Sequence, residues 1–205
     1  LRDLGATLVD VDMSAIPALN EAVSLPLCIH EMPSEVTTYL KNSGSRVTFD
    51  EIVAAIAGPD VRDVVGLAVA GVGTPEGREA YAEVLKSHLP ALRKEYRRLF
   101  ESHGLTALVF PTTPLPACPI GDDETTLLNG RRVPTFGTYI RNTDTPSNAG
   151  IPCISLPIGM SRAGLPIGLE LDALWNKDRE LLSLAADFEQ AIAPELARLW
   201  GAAQA

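Results

Sequence analysis

Between residues 142 and 171 the chain reads NTDTPSNAGIPCISLPIGMSRAGLPIGLEL, an apolar run with little charge, four prolines, and glycines at 150, 159, 164 and 168. So many backbone breakers in so apolar a run indicate short buried strands joined by tight turns. The spacing predicts a brief helix capped by Thr143 or Thr145, with Pro146 just inside it and Gly150 closing it in the left-handed conformation. Ile151 to Ile158 then reads as a buried strand, Ser161 to Gly164 as a turn, and Leu165 to Leu171 as the returning strand. Lys177 to Ile192 follows as an amphipathic helix through Leu181, Leu184, Ala185, Phe188 and Ile192.

Upstream, LRDLGA reads as a helix end, and the alternation Thr-Leu-Val-Asp-Val-Asp over residues 7 to 12 predicts a strand. A chain that opens this way, without an initiating Met, is expected to be part of a longer protein. Residues 17 to 41 are helical in pattern, with interruptions near Pro26 and Pro33, and Asp50 is expected to cap a short helix that stops before Gly58-Pro59. The clearest helix spans 74 to 104, from a Thr74 cap and Pro75 at the first position to Gly104 at the end. Its apolar stripe is Tyr81, Val84, Leu85, Leu89, Leu92, Tyr96, Leu99 and Phe100, and Pro90 should kink it. Arg93, Lys94, Arg97 and Arg98 suit the negative end of its dipole and read as a solvated helix end, not a phosphate site.

The next run, LTALVFPTTP, predicts an apolar strand covered on both faces. Helix followed by strand is the rhythm of the α/β class. Ligands in such sheets collect where strands end, so the corner containing Thr112 is a candidate wall of a site. Residues 115 to 134 read as loop, with a hairpin turn at Asn129-Gly130.

The bulk numbers narrow the function. The 205 residues, 46% of them hydrophobic, suit a single domain over 1–205. Seventeen basic against 26 acidic residues argue against nucleic-acid partners and against adhesion to an anionic membrane. No apolar stretch has the length to span a bilayer, and the first residues lack the features of a signal peptide. Cys28, Cys118 and Cys153 share no ligand spacing and read as reduced structural thiols of a cytoplasmic protein. The Cys28-Ile-His30-Glu31 run offers too few ligands for a metal, and no metal site is expected.

The run SNAGIPCISLPIGMSRAGLPIGLEL resembles the C-terminal signature of the amidase signature family, whose small helix ends in Gly-x-Pro before a buried strand and a Gly-Leu-Pro-x-Gly return. The likeness extends to ALVFPTTP behind its long helix, to TLVDVD, and to the helix carrying Glu31 and Tyr39. The branch it resembles is that of the mandelamide and indoleacetamide hydrolases. The resemblance implies an α/β/α sandwich with a mixed sheet, of which this chain is the C-terminal portion. It also implies hydrolysis of linear, arylalkyl carboxamides to acid and ammonia, with no cofactor.

That family uses a serine nucleophile activated by a second serine, held in a cis peptide, and by a lysine. A lysine can take the serine proton only through such a relay, while backbone N–H groups of a glycine-rich loop bind the oxyanion. This sequence has no GGSSGG-like run, and its only lysines are Lys41, Lys86, Lys94 and Lys177. The stretch Lys41-Asn-Ser43-Gly-Ser45 has the residue types without the glycine-rich loop and reads as a solvated loop. The catalytic residues are therefore expected on a missing N-terminal half, and the chain alone is expected to be inactive.

What this portion would contribute is a substrate wall. Phe136, Ile140 and Asp144 are four apart, as are Thr143 and Ser147, so each set shares a face if the segment is helical. Phe136 and Ile140 would then bury an apolar group, with Thr143 or Asp144 orienting a polar one. The expected partners are a small amide substrate and the missing half, with a homodimer over the exposed face as a further expectation. Two other readings stay open: a non-catalytic binding or assembly module with this fold, and an amidotransferase A-type subunit.

Overall fold

The computed structural model describes residues 1–203, with side chains through Leu199. After a single turn at Arg2–Leu4, closed by Gly5 at φ 88, residues 6–13 form neither helix nor strand and are mostly exposed. The strand expected at 7–12 is therefore absent. An alternating pattern makes a strand only beside a neighbour that takes its hydrogen bonds, and none of the described residues supplies one. Val11 and Met13 still turn inward against the core.

Helices α1 (Ala15–Glu21) and α2 (Ser24–Asn42) break at Ala22-Val23 and not at the prolines. Pro26 falls in the first turn of α2, where a missing N–H is harmless, and Pro33 is carried inside it. Helix α3 (Phe49–Ala55) is capped by Thr48, not Asp50: Thr48 accepts from the Glu51 N–H, and Glu51 returns the bond to the Thr48 backbone. Helix α4 (Pro59–Gly71) leads to α5 (Pro75–Glu83), whose Thr74 cap accepts from the Gly77 N–H at 3.0 Å.

The helix expected over 74–104 contains a π turn at Val84–His88 before α6 (Leu89–His103) begins. Pro90 has no N–H to give, and the wider turn changes the ladder just ahead of it, with Leu89 N–H bonding Val84 O. One five-residue turn brings Val84 into line with Leu89 and swings Leu85 off the stripe. Val84 and Leu89 are buried, whereas Leu85 is 46% exposed. Gly104 ends α6 in the left-handed conformation, as its position predicts.

Strand β1 (Leu108–Pro111) pairs antiparallel with β5 (Pro166–Asp172), which also pairs antiparallel with β4 (Cys153–Met160), giving the order β1-β5-β4. Only Leu108 of β1 is fully buried, so the expected coverage of both faces is not reached within this chain. The stretch expected as loop holds a small hairpin, β2 (Thr125–Leu128) and β3 (Arg131–Pro134), around Asn129 and Gly130 at φ 51 and 78. Two positive φ values are what this turn needs, and Asn-Gly supplies them. Between β3 and β4 lie α7 (Thr135–Ile140) and α8 (Asp144–Ala149), and α9 (Asp178–Ala203) follows β5. The class is α/β, as expected.

Two apolar clusters hold the layers. Leu92, Tyr96, Leu99 and Phe100 of α6 join Ile16, Val23, Leu108, Ala149 and Ile151 on one side of the sheet. Leu156, Leu171 and Ala173 meet Leu181 and Ala185 of α9 on the other. Leu184, expected on that stripe, is 36% exposed. Elsewhere large apolar groups face outward, among them Val61, Leu67 and Val69 of α4. No helix among the described residues is long and apolar enough to cross a membrane.

The stripe register is testable by paired truncations. Leu92→Ala should cost about 2–5 kcal/mol in urea unfolding, because the site is fully enclosed. Leu85→Ala should stay within about 0.5 kcal/mol, whereas an unbroken α-helix would make both costly.

Candidate functional site

The end of β1 and the α7–α8 segment meet through polar contacts. Thr112 extends the β1 pairing by donating its N–H to Gly168 O at 3.0 Å. Its hydroxyl then bridges to Ser155 of β4 across the central strand, Oγ1 to Oγ 2.5 Å. The bridge exists because residue 168 is glycine. A Cβ there would sit 2.7 Å from Thr112 Oγ1 and 2.8 Å from Ser155 Oγ, closer than contact allows.

Above this corner, Asn142 Nδ2 donates to Pro111 O at 2.7 Å, and the Tyr139 hydroxyl donates to Pro116 O at 2.6 Å. These bonds pin α7 and the turn after it to the loop leaving β1. Helix α8 is held from below by Asn20 of α1, which is only 6% exposed. Asn20 Nδ2 donates to Asp144 Oδ2 at 2.6 Å, and Asn148 Nδ2 donates to Asn20 Oδ1 at 2.9 Å. Buried amides are costly unless paired, and this one is paired on both its groups. The Tyr96 hydroxyl adds a bond to Thr145 Oγ1 at 3.0 Å.

The C-terminal end of α8 is the tightest junction. Ala149 O accepts from Arg93 Nε at 2.9 Å and from Trp175 Nε1 at 3.1 Å, while Arg97 lies over the Trp175 ring, 5.6 Å from its centroid. Arg93 and Arg97 are thus engaged with the fold, where the sequence pattern suggested a solvated end; Arg98 pairs only with Glu95. Gly150 follows at φ 72 and ψ 33 and lets the chain turn into β4.

Of the six expected wall residues, Thr112 stands at the strand end in its bond to Ser155. Phe136 is 38% exposed at the start of α7, with Ile140 half-buried at its end. Thr143 and Asp144 form the α7–α8 junction, and Ser147 is exposed on α8. The fours spacing does not produce one face, because the helix is interrupted at 141–143. Asp144 also spends one oxygen on Asn20. Thr143 Oγ1 donates back to Ile140 O at 3.2 Å.

The grooves of the described residues include one of about 380 Å³ beside Leu115, Cys118, Leu127, Tyr139 and Leu165, and another of about 220 Å³ beside Leu25, Ile29 and Ala80. None of the six lines either of them. The second includes His30, which stacks on Tyr81 with centroids 3.9 Å apart. The Tyr81 hydroxyl donates to Glu31 at 2.7 Å, so the His30-Glu31 pair is built into packing. Ser102 and His103 are also in contact, Oγ to Nδ1 2.9 Å. Ser102 Oγ, however, lies 2.6 Å from Arg98 O, to which it donates, so the hydroxyl proton is directed away from the imidazole.

The least expected feature is Glu170 with Asp172. They point to the same face of β5, two residues apart, and are 2% and 0% exposed. Glu170 Oε1 and both Asp172 oxygens have no hydrogen-bond donor among the described residues. Burial pushes Glu170 up to about 7, partly offset by the neighbouring Asp172 carboxyl. Asp172 is pushed up to about 8, by burial first and then by the Glu170 charge. Cys153, directly opposite Asp172 on β4, has its thiol raised by partial desolvation and then by the two carboxylates, although the residue as a whole is exposed. The signal in the sequence was LPIGLELD, where two acids alternate through an apolar strand.

The comparisons agree on one family. The sequence profile of the family described as Amidase matches residues 1–182. Indoleacetamide hydrolase of Agrobacterium vitis is 37% identical over 192 residues, covering 94% of this chain and 41% of that protein. Mandelamide hydrolase of Pseudomonas putida is 39% identical over 193 residues, covering 90% of this chain and 37% of the relative. Among solved structures, that described as a crystal structure of amidase superposes with a TM-score of 0.71 at 25% identity, over 93% of this chain and 39% of its own. A 6-aminohexanoate cyclic dimer hydrolase follows with a TM-score of 0.65 at 25% identity, over 93% and 38%. The chain thus spans about 41% of the length of the first of these relatives.

The buried acids give a pH signature. Both folded values lie above the ordinary 3.8 and 4.5, so the unfolded chain loses these protons first. Stability is full below about pH 4, falls as pH rises toward 8, and levels off above it, by about 1.4 kcal/mol per carboxyl for each unit of separation. Urea midpoints measured from pH 4.5 to 9 in the presence of a chelator should fall with pH. Asp172→Asn should flatten the curve and raise the midpoint at pH 8.5.

Proposed function

The chain belongs to the amidase family, and from that premise we propose that it is the C-terminal portion of an amidase that converts arylalkyl carboxamides to acid and ammonia by serine acyl transfer. The observation that carries this reading is the match to indoleacetamide hydrolase, in which nearly the whole chain finds its counterpart in 41% of the relative. Support also comes from what the chain contains. No glycine- and serine-rich run is present in the sequence. Among the described residues, Ser102 is the only serine with a histidine in hydrogen-bond contact, and its proton goes to a carbonyl.

In this reading the nucleophile, the second serine and the lysine lie on polypeptide outside these 205 residues. Residues 134–148 and the Thr112 corner form part of the substrate wall. The wall is stiff: Asn142, Tyr139 and Asp144 are each tied to a different neighbouring segment. A rigid surface at the substrate's non-reacting end favours catalysis, because positioning a reactant lowers the entropic part of the barrier. Phe136, which keeps 38% of its surface free, is the apolar contact for the aryl group.

Two measurements test the reading. The 205-residue chain, given indoleacetamide or mandelamide, should release no ammonia above the buffer rate. Hydrolysis by the isolated chain, abolished by alkylating its cysteines, would replace this reading with a cysteine hydrolase. In the complete protein expressed from its coding sequence, Phe136→Ala should raise KM for an arylalkyl amide roughly tenfold while leaving a short aliphatic amide within about twofold. Equal effects on both substrates would remove Phe136 from the wall.

A further inference from the structure

Glu170, Asp172 and Cys153 present an unbalanced piece of chemistry. One ligand-type atom from each, a carboxylate oxygen, a carboxylate oxygen and the thiol sulfur, lies within 4.8 Å of the other two. Strand pairing puts them there: Cys153 faces Asp172 across the β4–β5 ladder, and Glu170 is the next residue on the same face. The carboxyls are enclosed, and three of their oxygens lack any donor among the described residues. Neither carboxyl has a basic side chain among the groups acting on its charge. Buried acids without donors are costly, and native folds normally balance them with a cation, a donor or a proton.

We propose that Cys153, Glu170 and Asp172 form a binding site for zinc(II), with the fourth position open to water on the Cys153 side. A thiolate with two carboxylates is a zinc donor set; magnesium and calcium take oxygen ligands only. Zinc bound at about 2.3 Å to sulfur and 2.0–2.2 Å to oxygen needs ligand atoms some 3.3–3.8 Å apart, so the cluster, whose ligand atoms lie within 4.8 Å of one another, closes by at most about 1.5 Å through side-chain rotation. Cys153 is exposed, which gives the ion its entrance. Binding expels the thiol proton and whatever protons the carboxyls hold, with no change of oxidation state. The ion would clip the start of β4 to the end of β5 and neutralise most of the buried charge. It has no part in the acyl transfer proposed above and stands or falls independently of it.

The test uses the complete protein expressed from its coding sequence, stripped with a chelator and titrated with cobalt(II) and then zinc(II). Cobalt should give one equivalent of a thiolate-to-metal charge-transfer band that zinc abolishes, and saturating zinc should raise the melting temperature. Cys28→Ser and Cys118→Ser should keep the band, Cys153→Ser should lose it, and Asp172→Asn should weaken binding at least tenfold. Circular dichroism confirms that each variant is folded; Cys153→Ser alters an exposed side chain and decides the matter if Asp172→Asn does not fold. A missing band, a band that survives Cys153→Ser, or a melting temperature indifferent to zinc would each overturn the site. The pair would then be an acid dyad balanced only by shared protons.

Discussion

One carbonyl, that of Ala149, organises the functional side of this chain. It takes two side-chain donors, the guanidinium of Arg93 from α6 and the indole of Trp175 from just beyond β5. A bond to a charged donor is worth about 1.5–3 kcal/mol, more than an ordinary one, and here it satisfies a helix-end carbonyl that would otherwise need water. Three elements distant in sequence are thereby fixed around one turn. Gly150 then lets the chain reverse into β4, and everything that α7 and α8 present toward the strand ends depends on that anchor.

Punctuation in the sequence proved the most readable part of the fold. Gly150, the Ser161–Gly164 turn, the β4–β5 hairpin, the Thr74 cap and the Asn129-Gly130 turn all follow from residues with few conformational options. Periodicity misled where long-range context decides. TLVDVD has the alternation of a strand but no pairing neighbour among the described residues, and Leu85 sits on the ideal helical stripe but off the real one because of the π turn before Pro90. Asp50 lost the cap to Thr48 because Thr48, with Glu51 three residues on, completes a reciprocal pair.

The site was less legible than the fold. Spacing by four suggested a single wall face from Phe136 to Ser147, but the helix breaks at 141–143 and distributes those residues over two short helices. The polar groups that hold α7 and α8 in place, Asn20, Asn142 and Tyr96, carry no local signature. Their partners lie between 31 and 128 residues away, and only the folded chain reveals them. Glu170 and Asp172 were visible as acids in an apolar strand, yet their lack of donors is a property of three dimensions.

Family membership and the sheet together give the chain its character. Among the described residues the three-stranded antiparallel sheet has unpaired outer edges on β1 and β4, and it is covered by α9 on one face and by α6 and α8 on part of the other. The function proposed for the chain requires the reactive serine to lie outside these 205 residues. A fluorophosphonate probe applied to the complete protein, with the modified residue located by mass spectrometry, tests this most directly. The account predicts a single labelled serine outside these 205 residues; a label on any serine within them would contradict it.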